Sequence, residues 1–214
     1  MKKRISNKND FKTWRNNWKN EVVKHYKSII FSLFLLVLAT IINYNAGVYV
    51  TEKGSGLPGD FILDNVGPYD LSFSFIYFWL IIVTILLAYP IIFQVNLFHK
   101  ILAQFSFLII VRSFFITLTH LKTPATAIYA NFPGVINTLA FQNDLFFSGH
   151  TAVPFLGFLF YKGHKIRWFF LAGSIIMAVT VILMHQHYTI DVLAAYFITY
   201  GVFHLAKFFS PFRN

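Results

Sequence analysis

The sequence has no cysteine, few charged residues and even fewer acids, and each shortage removes a class of explanation. Without cysteine there is no disulfide framework, no thiolate nucleophile and no sulfur-ligated metal. Only 12% of the 214 residues are charged, against roughly 25% in a soluble domain. With 57% hydrophobic residues, 27 of the total being phenylalanine, the chain reads as a polytopic membrane protein. Eight acids against 18 Lys and Arg leave a net charge of +10, a balance that nucleic-acid binders share. Half of those basic residues fall in the first 27 positions, ahead of the first apolar run. There they read as an anchor beside anionic lipid headgroups, and no nucleic-acid partner is expected. No polar run is long enough to fold separately. The expected organisation is a basic cytoplasmic tail over 1–27, one membrane domain over 28–209 and a short cytoplasmic tail over 210–214.

In the basic tail Trp14 and Trp18 stand four residues apart. That spacing fits a short helix lying on the membrane surface or a solvated tail that sets topology. A secretory signal is not expected, because the polar lead is long and no small-residue cleavage site follows 29–42. Six apolar runs near bilayer-spanning length cover 27–48, 72–97, 101–118, 147–161, 166–184 and 189–208. Pro90 should bend the second, and Pro154 should kink or tilt the short fourth. The fold expected is therefore an all-α, six-transmembrane-helix bundle. Lys and Arg in the N-terminal tail, at Lys100, in the 162–167 turn and at Lys207 and Arg213 fall on one side of such a bundle. On the other side, within the 51–71 loop, Glu52, Asp60, Asp64 and Asp70 oppose Lys53 alone. The positive-inside rule then puts both termini in the cytoplasm.

With that topology, Ser148-Gly149-His150 and His187-Tyr188-Thr189-Ile190-Asp191 both lie at the non-cytoplasmic ends of spans, four and six respectively. Ionisable groups at a membrane boundary are costly and usually functional. His187 and Asp191 are four apart, on one face if helical, so Asp191 takes the proton of one ring nitrogen and leaves the other nucleophilic. Free N–H groups at a helix start make an anion site, with Ser148 and Gly149 at its mouth. Arg112, inside the third span, is expected to clamp a phosphate, its alternatives being an inter-helix ion pair or snorkelling to an edge. His120 and Lys122 are either extra positive charge at the site mouth or ordinary loop residues. His185 points to another face and is left out of the pair, and His25, His99, His164 and His204 receive no role. Zinc would need three or four converging ligands, and each histidine here has its own task, so metal-independent chemistry without a cofactor is expected. Phe141, Phe146, Phe147, Phe155, Tyr188 and Tyr196, all close to the triad in sequence, are expected to wall the site and limit water. A purely structural histidine network between helices is the competing reading.

The stretches Asn143-Asp144-Leu145-Phe146-Phe147-Ser148-Gly149-His150-Thr151 and His185-Gln186-His187-Tyr188-Thr189-Ile190-Asp191-Val192 resemble two signature motifs of the sphingomyelin synthases. Those enzymes are a branch of the type 2 phosphatidic acid phosphatase superfamily. Val111-Arg112-Ser113 is similar to a third motif, and Gly56-Leu57-Pro58-Gly59-Asp60 with Asp64 faintly to a fourth. Phe147 and Val181 stand where the phosphatases of the superfamily carry proline and arginine, and there is no Lys-x6-Arg-Pro. These departures favour the synthase branch.

The resemblance implies an integral membrane phosphotransferase with a catalytic triad of His150, His187 and Asp191. It would move phosphocholine or phosphoethanolamine from a glycerophospholipid donor to ceramide or a similar lipid alcohol through a phosphohistidine. Arg112, Ser148 and Gly149 would bind the phosphate, on the periplasmic, extracellular or lumenal side. A lipid phosphate phosphatase using the same triad is the nearest alternative, and a non-catalytic lipid binder or transporter is the next.

Overall fold

Long apolar runs in lipid fold as helices, because a helix pairs its interior N–H and C=O groups within one segment. The computed structural model of the protein describes residues 8–208, and among them there are six α-helices and no strand. The helices are α1 (Lys8–Lys53), α2 (Trp79–Phe93), α3 (Val95–Thr119), α4 (Gly149–Phe160), α5 (Arg167–Leu183) and α6 (Thr189–Ala206). A π-helical turn, Ser74–Phe78, leads into α2, and a 3-10 turn, Gly134–Leu139, sits in the loop after α3. Each helix falls on one of the six expected runs. Four stretches are long and apolar enough to cross a membrane: Trp14–Lys53, Ser74–Phe93, Val95–Thr119 and Thr189–Ala206. The other two, α4 and α5, have 12 and 17 residues. At 1.5 Å per residue α4 covers only about 18 Å of a hydrocarbon core about 30 Å thick. The 210–214 tail with Arg213, and residues 1–7, lie outside the described residues.

The basic stretch is helical from Lys8 onward and continuous with the first apolar run, in one helix of 46 residues. Its tryptophans grip the end of α2. Trp18 Nε1–H donates to the Ile91 carbonyl at 2.9 Å, and Trp14 Nε1–H to that of Ile92 at 3.3 Å. A helix leaves its last carbonyls without intrahelical donors, and these two indoles supply them. Farther along, α1 runs parallel to α3 through a seam of small side chains. Ser32, Ala39 and Ala46, all buried, recur every seven residues on α1, which packs along α3, and Ser113 Oγ of α3 donates to Asn43 Oδ1 of α1. Ser32 Oγ donates to the His99 carbonyl at 2.7 Å, and Ala46 and Val50 cluster with Ile116. Small residues let helices approach closely, so dispersion substitutes for a hydrophobic effect that lipid does not provide.

Pro90 shows how the bundle repairs a broken ladder. A proline at that position cannot donate to the carbonyl four residues back, which belongs to Leu86. The Tyr161 hydroxyl, fully buried at the end of α4, donates to that carbonyl instead at 2.8 Å. Around this bond lies the main core, with Ile82, Leu86, Ile101, Leu156, Phe170 and Met177 all buried.

Loops 54–73, 120–148 and 184–188 gather at one end. Gly56 and Leu121 form a short parallel bridge, Tyr69 N–H donates to the Leu183 carbonyl, and Ile128 N–H to that of Met184. The 161–166 turn sits at the opposite end, where Gln94 Nε2 meets His164 Nδ1 at 3.2 Å. The loops that charge counting puts on one side therefore lie together. Cysteines introduced at Lys162 and Thr138 in this cysteine-free chain should react with an impermeant thiol reagent from opposite membrane faces, Lys162→Cys from the cytoplasmic one. Reaction of both from one face contradicts the alternating arrangement.

Candidate active site

The loop-rich end encloses a cavity of about 450 Å³ lined by residues from α1, α2, α3, α4 and the 120–148 loop. His150 and His187 both line it, as do Arg112 and Gly149. Their placement starts at two helix N-termini. Ser148 is the N-cap of α4, and its N–H donates to the Asp191 carbonyl at 3.1 Å, which ties the start of α4 to the first turn of α6. Asp191, the third residue of α6, is completely buried, and its Oδ2 accepts the N–H of the N-cap Tyr188 at 3.0 Å. His187 precedes that cap, and its Nδ1 stands 3.5 Å from Asp191 Oδ2. The pair thus forms, but not as two residues on one helical face. His187 belongs to the turn before the helix, and Asp191 reaches it while capping the same turn.

That turn is fastened from outside. Asp60 Oδ2 accepts Thr189 N–H at 2.5 Å and Oδ1 accepts the Thr189 hydroxyl at 2.8 Å, so a residue from the loop before α2 caps α6. Tyr188 Oη–H donates to the Lys122 carbonyl at 2.9 Å. His185, in the left-handed region at φ 56°, donates Nε2–H to the Val66 carbonyl at 2.9 Å and accepts the Thr126 hydroxyl on Nδ1 at 2.6 Å. With both ring nitrogens engaged and no place in the cavity lining, His185 holds loops together, consistent with its exclusion from the pair.

Burial raises the Asp60 pKa, but hydrogen bonds from Thr189 backbone and side chain, Leu63 N–H and Ile62 N–H outweigh it and leave the carboxyl below its ordinary range. A folded pKa below the unfolded one stabilises the protein above the unfolded value, and that contribution disappears as pH falls through the folded value. Asp60→Asn should therefore lower the thermal midpoint at pH 7, by about 1.5–3 kcal/mol for a charged hydrogen-bond acceptor, and remove part of the loss of stability expected below pH 4. Thermal scans of both proteins between pH 3 and 7 check this, and parallel curves contradict it.

His150 sits among rings. Phe75 stacks on it at 4.2 Å between centroids, Trp79 lies at 5.0 Å and Phe132 at 6.2 Å. Its Nε2, together with His187 Nδ1, Trp79 Nε1 and Asp191 Oδ1, is buried without a hydrogen-bond partner among the described residues. Buried polar atoms are nearly always satisfied, so the orphaned His150 Nε2 and Trp79 Nε1, both on lining residues, mark a place where a ligand supplies the missing partners.

Arg112 forms an ion pair, though with a loop carboxylate and not between helices. Its Nη1 is 2.8 Å from Asp144 Oδ1, Nη2–H donates to the Asp144 carbonyl at 3.0 Å, and Nε–H to that of Phe147 at 2.7 Å. Asp144, also in the cavity lining, lies inside the 143–151 stretch that resembles a signature motif, where no role of its own is expected from sequence. A Cβ on Gly149 would lie 3.2 Å from Arg112 Nε, so glycine is what lets the guanidinium reach the start of α4. Ser148 is completely buried and does not line the cavity, its Oγ accepting from the Thr151 hydroxyl at 3.3 Å. His120 and Lys122 are also absent from the lining.

The expected aromatic wall is corrected. Of the six rings named from sequence proximity only Phe141 lines the cavity, joined by Phe75, Trp79, Phe105, Tyr129 and Phe132. Phe147 packs in the main core, Phe146 against Phe115, and Phe155 edge-on against Tyr196. Phe146 and Phe147 lie in the bend before α4 and Tyr188 caps α6, so closeness in sequence to His150 and His187 does not turn them into the cavity, and the rings that face it come mostly from other elements.

Residues 143–208 match the family model for the PAP2 superfamily C-terminal region. Phosphatidylcholine:ceramide cholinephosphotransferase 2 of Rattus norvegicus is 40% identical over 62 residues, covering 26% of this chain and 17% of that protein. The same-named protein 1 of Homo sapiens is 36% identical over 66 residues, covering 28% of this chain and 16% of its own length. The match therefore spans less than a fifth of these curated relatives. Residues 143–208, which carry His150, His187 and Asp191, are thus similar to the PAP2 superfamily C-terminal region and, over about 60 residues, to the phosphatidylcholine:ceramide cholinephosphotransferases.

Proposed function

We propose that this multi-pass membrane protein is a lipid phosphotransferase that moves phosphocholine or phosphoethanolamine from a glycerophospholipid to ceramide or a similar lipid alcohol. The reading is carried by the unpartnered His150 Nε2 and Trp79 Nε1, on residues that line one cavity with His187, and it is supported by the similarity of the segment holding both histidines to the cholinephosphotransferases. With Nδ1–H directed at Asp191, His187 keeps Nε2 free, and this nitrogen attacks the donor phosphorus. The P–O bond to diacylglycerol breaks as His150 delivers a proton to the leaving oxygen. The acceptor alcohol then gives its proton to His150, its oxygen attacks the phosphorus, and the P–N bond breaks to restore His187. Backbone N–H groups at the start of α4, next to Gly149, and the Arg112 guanidinium stabilise charge on the phosphoryl oxygens. The positive-inside pattern supports a non-cytoplasmic face for this chemistry.

Hydrolysis by the same triad is the second reading, favoured by the amide side chains of Asn131, Asn137, Gln142 and Gln186 in the lining, which hold water. The six lining rings weigh against it, since closing out water protects a reactive phosphohistidine. Purified protein in vesicles of phosphatidylethanolamine or phosphatidylcholine with ceramide should release diacylglycerol and form the matching phosphosphingolipid, while phosphatidic acid reacts poorly. Fast release of inorganic phosphate from phosphatidic acid, without an acceptor-dependent product, decides for the phosphatase.

A further inference from the structure

Arg112 is the obvious cation for a lipid phosphate, yet in the folded protein its charge is already answered. Asp144 faces its Nη1 with both carboxylate oxygens, at 2.8 and 3.0 Å. The two side chains are only 8% and 15% exposed, and both line the cavity. Among the described lining residues, they are the two that carry a formal charge at neutral pH, histidines aside. The cavity is therefore a neutral dipole with one positive and one negative pole, not a basic pocket. An anionic phosphodiester entering alone meets a guanidinium whose field is cancelled, and it is repelled by the carboxylate beside it. A headgroup that carries its own cation has no such conflict. Its phosphate takes the guanidinium, its ammonium takes the carboxylate, and the buried pair is exchanged for two new pairs with no charge left over. The faces of Tyr129, Phe132 and Phe141 in the same cavity further attract an alkylammonium.

We propose that Asp144 determines donor specificity by receiving the ammonium group of a zwitterionic phospholipid while Arg112 receives its phosphate. The proposal rests on the lipid-phosphate reading of this cavity. Asp144 selects against phospholipids whose diester has no cation, and removing its charge should open the site to them.

Binding separates this from catalysis. The full chain in maltoside micelles, carrying a fluorescent phosphatidylcholine, is titrated with dodecylphosphocholine or with dodecylphosphoglycerol, which has the same diester charge and no cation. Wild type should prefer the phosphocholine probe by about tenfold or more, a difference of about 1.4 kcal/mol. Asp144→Asn should abolish or invert that preference, chiefly by tightening the phosphoglycerol probe on a freed Arg112. Asp144→Glu, which restores the charge, should keep the preference. A merely structural Asp144 would weaken both probes by the same factor, and that result overturns the proposal. Equal affinities in wild type overturn it too, even if Asp144→Asn does not fold. Headgroup transfer by a wild type without preference removes this inference and leaves the transferase reading standing. An Asp144-dependent preference in a protein that turns over no phospholipid does the reverse.

Discussion

Replacing His187 with alanine should lower headgroup transfer by about 10⁴-fold or more, because a triad that acts as one unit keeps only the binding and charge-stabilising part of its catalysis once the nucleophile is gone. His187 lines the cavity, and its Nδ1 faces a fully buried carboxylate that also fixes the adjacent turn. Asp191→Asn should approach the same loss, since an amide leaves the ring tautomer unset and the Tyr188 N–H less firmly held. His150→Ala removes the proton donor, and the His150→Ala/His187→Ala double variant should be no slower than His187→Ala. His185→Ala is the control from the same turn. Its ring bridges Thr126 and the Val66 carbonyl and is absent from the cavity lining, so it should cost stability and leave turnover per folded molecule within about tenfold. Initial rates in vesicles, normalised to folded protein, check the series. An active His187→Ala beside an inactive His185→Ala refutes the assignment.

Arg112→Ala should be nearly as damaging, for two separable reasons. Truncation leaves the Asp144 carboxylate buried without its cation and strips donors from the Asp144 and Phe147 carbonyls, a loss of about 3–5 kcal/mol for breaking a buried pair from one side. The segment it releases is the one that delivers Gly149 and His150 to the cavity, so turnover should fall by about 10³-fold as positioning and phosphate contact go together. Arg112→Lys keeps the charge but cannot satisfy a carboxylate and two carbonyls through one planar fork, and it should fall between. Arg112→Ala/Asp144→Asn should regain much of the thermal stability without regaining activity. Recovery of both by the double variant would make Arg112 a structural residue with no part in phosphate recognition.

How much of this was legible in the sequence depends on the range of the interaction. All six helices follow from apolar runs, which act residue by residue, and the gathering of His150, His187 and Asp191 at one end follows from helix order and loop charge. What needed coordinates is tertiary. Trp14 and Trp18 leave two readings open in sequence, and only the carbonyls of Ile91 and Ile92 show what they grip. Asp144 and Asp60 carry no periodic signal, since their partners Arg112 and Thr189 lie 32 and 129 residues away. The spacing of His187 and Asp191 pointed to two side chains that do approach, at 3.5 Å, but through the wrong element, because four residues also span a cap and the turn before it. Rings close to the triad in sequence were the poorest guide. Phe147, in the bend before α4, packs in the main core and Phe155 packs edge-on against Tyr196, whereas Phe75, Trp79 and Phe132 reach the cavity from the turn before α2, from α2 and from a distant loop.

The central claim is that a lipid phosphoryl group passes through His187, and trapping that group tests it most directly. Purified protein in vesicles receives a phospholipid labelled at phosphorus, is denatured in alkali within its first turnover, and is digested for peptide mapping. A phosphohistidine is stable in alkali and labile in acid, so label should be found on the peptide containing His187, absent from His187→Ala, and chased into product by added ceramide. Diacylglycerol released by wild type with the label found on another residue, or with none on His187 while transfer proceeds, contradicts the account.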